Sequence, residues 1–198
     1  MDFSRLFETV AAFFLAVGVS AHALDELNGR PLDTKIPRWI LISMAIVGLS
    51  GAVLLGADGV RDVGPGLVVF VVTGVVLVIA YNLELWGGRL HNDTGFALAW
   101  GAFPVVVAYF AQAERIDSVA LLAASGAAGL SIAQRALSTP ARLLRRRISR
   151  VQGTFELRNG EVKTIQIGTL LEPLERALRA SSWATVALAL AMLLERLP

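Results

Sequence analysis

"RWILISMAIVGLSGAVLLGA", residues 38–57, carries a single charge, Arg38 at its first position. A helix needs about 20 mostly apolar residues to cross the hydrocarbon core of a bilayer, so this stretch reads as a transmembrane helix. Working outward, similar stretches lie at about 4–22 before it and at 65–83, 95–113, 118–137 and 174–194 after it. Charges, Gly or Pro separate each from the next. The composition agrees: 55% hydrophobic and 17% charged over 198 residues, with a mean hydropathy of +0.63, against about 45–50% apolar and about 25% charged in soluble domains. The expected fold is an all-α integral membrane protein with about six transmembrane helices. There is no Cys, which excludes disulfides, thiolate metal sites and a thiol nucleophile. The first apolar run, Phe3 to Ala21, lacks the basic flank and small-residue cleavage site of a signal peptide, so it is expected to be a retained helix.

Six spans place the first, third and fifth connections on one side of the membrane. Of the 18 Lys and Arg residues, only Arg5, Arg61, Arg115 and Arg196 fall on the other side, leaving 14 on the first. Cytoplasmic loops retain positive charge, so the crowded side is expected to be cytoplasmic. The domain organisation follows: residues 1–137 form a five-helix membrane bundle, 138–173 a basic cytoplasmic loop, and 174–198 a C-terminal transmembrane helix. Within the loop, "TFELRNGEVKTIQI", residues 154–167, centres on Asn159-Gly160, the dipeptide of a two-residue type I′ turn. A β-hairpin is expected there, pairing Leu157 with Val162 and Glu156 with Lys163. Before it, "ARLLRRRISR", residues 141–150, suits anionic lipid headgroups. It lacks the interleaved aromatics of a single-strand nucleic-acid surface, so nucleic acid is not an expected partner.

Polar residues concentrate in two connections on that same side. In "HALDELNGRPLDTKIP", residues 22–37, His22, Asp25 and Glu26 stand at i, i+3 and i+4 and share a helix face. In "YNLELWGGRLHNDTG", residues 81–95, Glu84, His91 and Asp93 surround Gly87-Gly88, which lets the backbone turn sharply. Imidazole with carboxylate suits Zn, Fe or Mn, and carboxylate alone suits Mg or Ca. His22, Asp25, Glu26, Glu84, His91 and Asp93 are therefore the candidate ligands of a divalent metal. Ionisable groups at membrane depth default to a functional hypothesis; solvated charges beside helix ends are the plainer alternative. Glu8 lies about 21 Å from His22 along its helix and stays outside the cluster. Asp58, Arg61, Asp62, Glu114, Arg115 and Asp117 read as ordinary outer-loop residues. Trp39, Trp86 and Trp183 fit an interfacial belt, and Pro104 is expected to kink its span and open space in the bundle.

At "DELNGRPLDTKIP" the sequence resembles the UbiA superfamily of intramembrane prenyltransferases, whose members carry an aspartate-rich segment at a cytoplasmic helix end followed by an Arg-Pro-Leu element. Asp25 and Glu26 match the acidic segment, and "GRPLDTKIP", Gly29 to Pro37, looks like the element after it. Further on, Tyr81 and "ALAWGAFPV", residues 97–105, are similar to the family's span-ending Tyr and the Gly/Ala/Trp-rich helix that follows. The resemblance covers about residues 10–113. It implies a UbiA-like bundle, a prenyl or other long-chain lipid substrate, and Mg²⁺ on a diphosphate held between two acidic motifs. On that reading Asp25 and Glu26 are ligands, Arg30, Tyr81 and Arg89 bind substrate, and His22 or His91 completes the metal shell or acts as base. The second acidic motif would fall in Ser138–Pro173, which has no acidic residue before Glu156. Two alternatives stand beside it: a Zn- or Fe-dependent lipid hydrolase or oxidase using the His/carboxylate set, and a non-catalytic lipid-binding or scaffold protein. Oligomeric state is not readable.

Overall fold

A computed structural model describes residues 1–29 and 34–196. Arg30, expected to bind substrate, and the rest of "RPLD" lie outside the described residues. Five helices are long and apolar enough to cross a membrane: α1 (Phe3–Gly29), α2 (Arg38–Val63), α4 (Asp93–Ala113), α5 (Ser118–Arg146) and α6 (Ile167–Leu194). The remaining expected span is the shorter apolar helix α3 (Leu67–Asn82), about 24 Å long at 1.5 Å per residue. Their outer surfaces are apolar, with Leu54, Val69, Leu122 and Leu188 each more than half exposed. Apolar surface on that scale marks contact with something other than water. The chain has the build of a multi-pass membrane protein.

Two compact units divide the chain, Met1–Ser131 and Ile132–Pro198, with the boundary inside α5. In the first unit, α2 packs along α1 and against α3, and α1 and α3 both meet α4. Small residues allow this. A Cβ on Gly48 of α2 would stand 2.7 Å from the Leu15 carbonyl oxygen of α1, so only glycine admits that approach. Beside it the fully buried Ser20 hydroxyl donates to the Ala45 carbonyl at 2.9 Å, tying α1 to α2. Ala23, Leu41 and Ala45 form a buried cluster at this end.

Two helices change winding midway. Phe14–Ala21 of α1 and Ala97–Ala102 of α4 are π-helical, a winding that widens the helix and often marks a functional site. In α4 the cause is visible in the sequence. Pro104 has no N–H to offer the Trp100 carbonyl, and the helix accommodates it by widening just before the proline. α5 begins on a cap: the Asp117 carboxylate accepts from the Val119 and Ala120 N–H groups at 3.0 and 3.2 Å, meeting donors a helix start leaves open.

In the second unit, the helices extend further than hydropathy alone suggests. Ser138 and Pro173, read as the boundaries of the basic loop, lie inside α5 and α6, and Pro140 also lies inside α5. The expected hairpin is present as strands β1 (Gly153–Glu156) and β2 (Val162–Ile165), antiparallel. Its register differs by one residue. Glu156 pairs with Val162 and Phe155 with Lys163, because the turn has three residues rather than two. The Gly160 N–H bonds the Leu157 carbonyl and the Leu157 N–H bonds the Glu161 carbonyl, both at 2.8 Å. Only Gly160, at φ +83°, has positive φ there, which is the type I turn with a glycine bulge rather than type I′. Arg145 pairs with Glu175 across the two helix ends.

Candidate functional site

The first unit holds a cavity of about 110 Å³ between α1, α2, α3 and α4. Alanines, glycines, aliphatic side chains and phenylalanines make most of its wall, including Ala16, Gly56, Gly74 and Phe103. The polar side chains are unevenly placed. Arg5, Glu8 and Thr9 line one end, and the indole of Trp100 lines the other.

The Arg5 end is closed by a guanidinium that joins three helices. Arg5 donates to the Glu114 carboxylate at 2.8 Å, to the Asp62 carbonyl at 2.7 Å and to the Ala111 carbonyl at 3.3 Å. The two carbonyls belong to the last turns of α2 and α4, where helix dipoles place partial negative charge and a cation is favoured. Asp2 adds a longer contact at 3.7 Å. The Ser4 hydroxyl donates to Glu8 Oε1 at 3.1 Å. Nearby, the Asp117 carboxyl is held below the ordinary carboxylate range, chiefly by the Tyr109 hydroxyl, with the Ala120 N–H and Arg115 adding to it. Glu114 and Asp117 are thus structural partners rather than plain outer-loop charges, a correction to the sequence reading. The signal lay in the i, i+3, i+4 spacing of Arg5, Glu8 and Thr9 inside an apolar helix, a polar face with no solvent-side explanation.

The Trp100 end is backed by a stack of rings. Trp100 meets the edge of Tyr81 at 5.4 Å between centroids, and Tyr81 stacks on His91 at 4.6 Å. His91 Nδ1 lies 3.2 Å from the Tyr81 carbonyl and 3.9 Å from Glu84 Oε1. A carbonyl only accepts, so the neutral ring carries its proton on Nδ1 and keeps the Nε2 lone pair. The turn that delivers Glu84 to this position is strained. Glu84, Trp86 and Gly87 all adopt left-handed conformations, at φ 50°, 56° and 68°, and each of the two non-glycine residues costs roughly 1–2 kcal/mol. Asn92 then caps α4 by accepting from the Gly95 N–H at 2.8 Å.

The other expected site residues are distributed differently. Glu26 is buried, and its Oε1 accepts from both the N–H and the hydroxyl of Thr34 at 2.7 Å, so it latches the α1–α2 connection. His22 and Arg89 are exposed, Asp25 is half-buried and Asp93 is exposed. Of the expected set, the structure brings together Tyr81, Glu84 and His91. Among the described residues, no three His, Asp or Glu side chains gather closely enough to hold a metal ion. No family model, curated protein or solved structure matches the chain.

Proposed function

We propose that the first unit binds a prenyl or other long-chain lipid between α1, α2, α3 and α4. One observation carries this reading: the cavity has apolar walls for most of its length and polar side chains confined to its ends, the polarity of a single amphiphile. Sites for small ligands in helical proteins are concave, mostly apolar and furnished with few polar groups. The Lys/Arg imbalance supports a cytoplasmic position for the loops that carry it, and the run Arg142–Arg150 supports contact with anionic headgroups. The test is direct. Protein purified in mild detergent is extracted and its lipid identified by mass spectrometry, beside a Gly74→Leu variant whose new side chain occupies the cavity. A long-chain lipid retained by the wild type and lost from the variant supports the reading; equal amounts in both, or none in either, refutes it.

The His91 arrangement favours a second reading, a UbiA-like or other lipid-transforming membrane enzyme. An imidazole whose Nδ1 is fixed by a carbonyl presents Nε2 as a base or as a single ligand for Zn, Fe or Mn, and the strained turn beside it is the kind of outlier that accompanies function. The described donors do not by themselves form a metal-binding set, since no three His, Asp or Glu side chains gather among the described residues and Glu26 is engaged by Thr34. Metal content of the wild type beside His91→Ala tests this reading: a stoichiometric metal lost in the variant supports it, and equal content in both removes the metal from it.

A further inference from the structure

We propose that the ligand of this cavity carries a non-anionic, hydrogen-bond-donating head, that of a long-chain alcohol, seated at Glu8 with its chain running toward Trp100. The inference rests on the reading that the cavity holds a lipid. Arg5, Glu8 and Thr9 share one helix face, and what each can still offer a ligand differs. The Arg5 guanidinium already donates to two carbonyls and to Glu114. The Thr9 hydroxyl donates its hydrogen to the Arg5 carbonyl at 2.7 Å. Glu8 Oε1 accepts from Ser4, and Oε2 makes no hydrogen bond among the described residues. A carboxylate oxygen accepts and does not donate, so Glu8 asks for a donor.

Charge points the same way. Of the two charged residues lining the cavity, Arg5 is already paired with Glu114, and Glu8 makes no ion pair among the described residues, so a carboxylate or phosphate head would meet the Glu8 charge unopposed. A hydroxyl meets no such repulsion and supplies the missing donor. From Arg5 to Val17 the lining follows α1 for about 18 Å at 1.5 Å per residue, a slot for one extended chain. Its far end is Trp100, so a head at Glu8 places the chain terminus near the indole.

Trp100 is also the reporter. The chain has four Trp, and Trp39, Trp86 and Trp183 are exposed, so replacing those three with Phe leaves Trp100 alone. The delipidated protein in mild detergent is titrated with a saturated alcohol brominated at its terminal carbon, and with the matching carboxylate and phosphate. The alcohol is expected to quench Trp100 with an affinity about tenfold or more above either anion, the scale of one hydrogen bond to a charged group. Glu8→Gln is expected to narrow that gap by admitting the anions. An anion that binds the parent protein as tightly as the alcohol, a gap unchanged in Glu8→Gln, or stronger quenching by bromine placed beside the head overturns the proposal. If none of the three quenches Trp100, the cavity reading falls and this inference with it, whereas quenching by the anions alone sinks only the inference.

Discussion

Gly74→Leu separates a cavity that binds from a cavity that is merely a packing defect. Gly74 sits mid-way along α3 and lines the cavity, and a Cβ there would meet the Phe103 ring at 3.5 Å, ordinary van der Waals distance. Alanine therefore fits, and in a helix interior it is favoured over glycine by about 0.8–1 kcal/mol. Leucine extends further and fills only part of the 110 Å³ cavity; at about 24 cal/mol per Å³, each roughly 40 Å³ that it fills represents about 1 kcal/mol of added packing. If the leucine does so without displacing Phe103, the ligand-free protein gains about 1 kcal/mol, about 2–4 °C in Tm for a chain of this size. The same atoms remove the ligand's room. The expected pattern is a rise in Tm of the delipidated protein, with loss of the further rise that ligand gives the wild type. Thermal unfolding in detergent, with and without long-chain alcohol, reads both. A Gly74→Leu variant still stabilised by ligand as strongly as Gly74→Ala refutes the assignment of the site. A fall in Tm refutes the packing argument.

Arg5→Lys is expected to lower the Tm measurably, because an ammonium cannot reach Glu114, the Asp62 carbonyl and the Ala111 carbonyl together as a planar guanidinium does; an unchanged melting curve refutes the clamp. Glu26→Ala leaves the Thr34 N–H and hydroxyl without their acceptor and is expected to cost about 2–4 kcal/mol, read by denaturation, while metal content stays as in the wild type. Asp117 has its pKa depressed in the folded state, so the stability it contributes is present above the unfolded-state value near 3.9 and is lost as pH falls through the folded one. Asp117→Asn should therefore be less stable than the wild type at neutral pH and close to it in acid, with a flatter profile of Tm against pH; parallel profiles refute the assignment.

The helices were legible because burying or lipid-solvating a backbone demands long apolar runs, and α2 and α4 advertise theirs. What hydropathy hid were ends and windings. α5 and α6 run through Pro140 and Pro173 into polar sequence because charged residues continue a helix as well as apolar ones do, so the composition change marks a change of surroundings and not of backbone. The hairpin was legible from Asn159-Gly160, yet its register was not. The same dipeptide serves a two-residue type I′ turn or, with Arg158, a three-residue turn whose last residue is the glycine, and alternation alone does not choose between them.

The site was half legible for a related reason. Helical spacing puts His22, Asp25 and Glu26 on one face, but it says nothing of what else reaches that face, and Thr34 engages Glu26 from the following connection. Conversely, His91 shares no helical face with Tyr81; the left-handed turn between them folds the chain back so that the ring stacks on the Tyr81 it follows by ten residues. Local strain thus creates the one pairing among the expected residues that has a fixed imidazole orientation. That pairing lies behind Trp100, at the opposite end of the cavity from Glu8, so the two functional readings put a ligand's polar head at opposite ends of one slot. A head at Glu8 leaves His91, held by the Tyr81 carbonyl and Glu84, away from the head and makes the protein a lipid binder; a head at His91 makes it a candidate enzyme. The position of bromine along the chain that best quenches Trp100 decides between them without any assumption about the reaction.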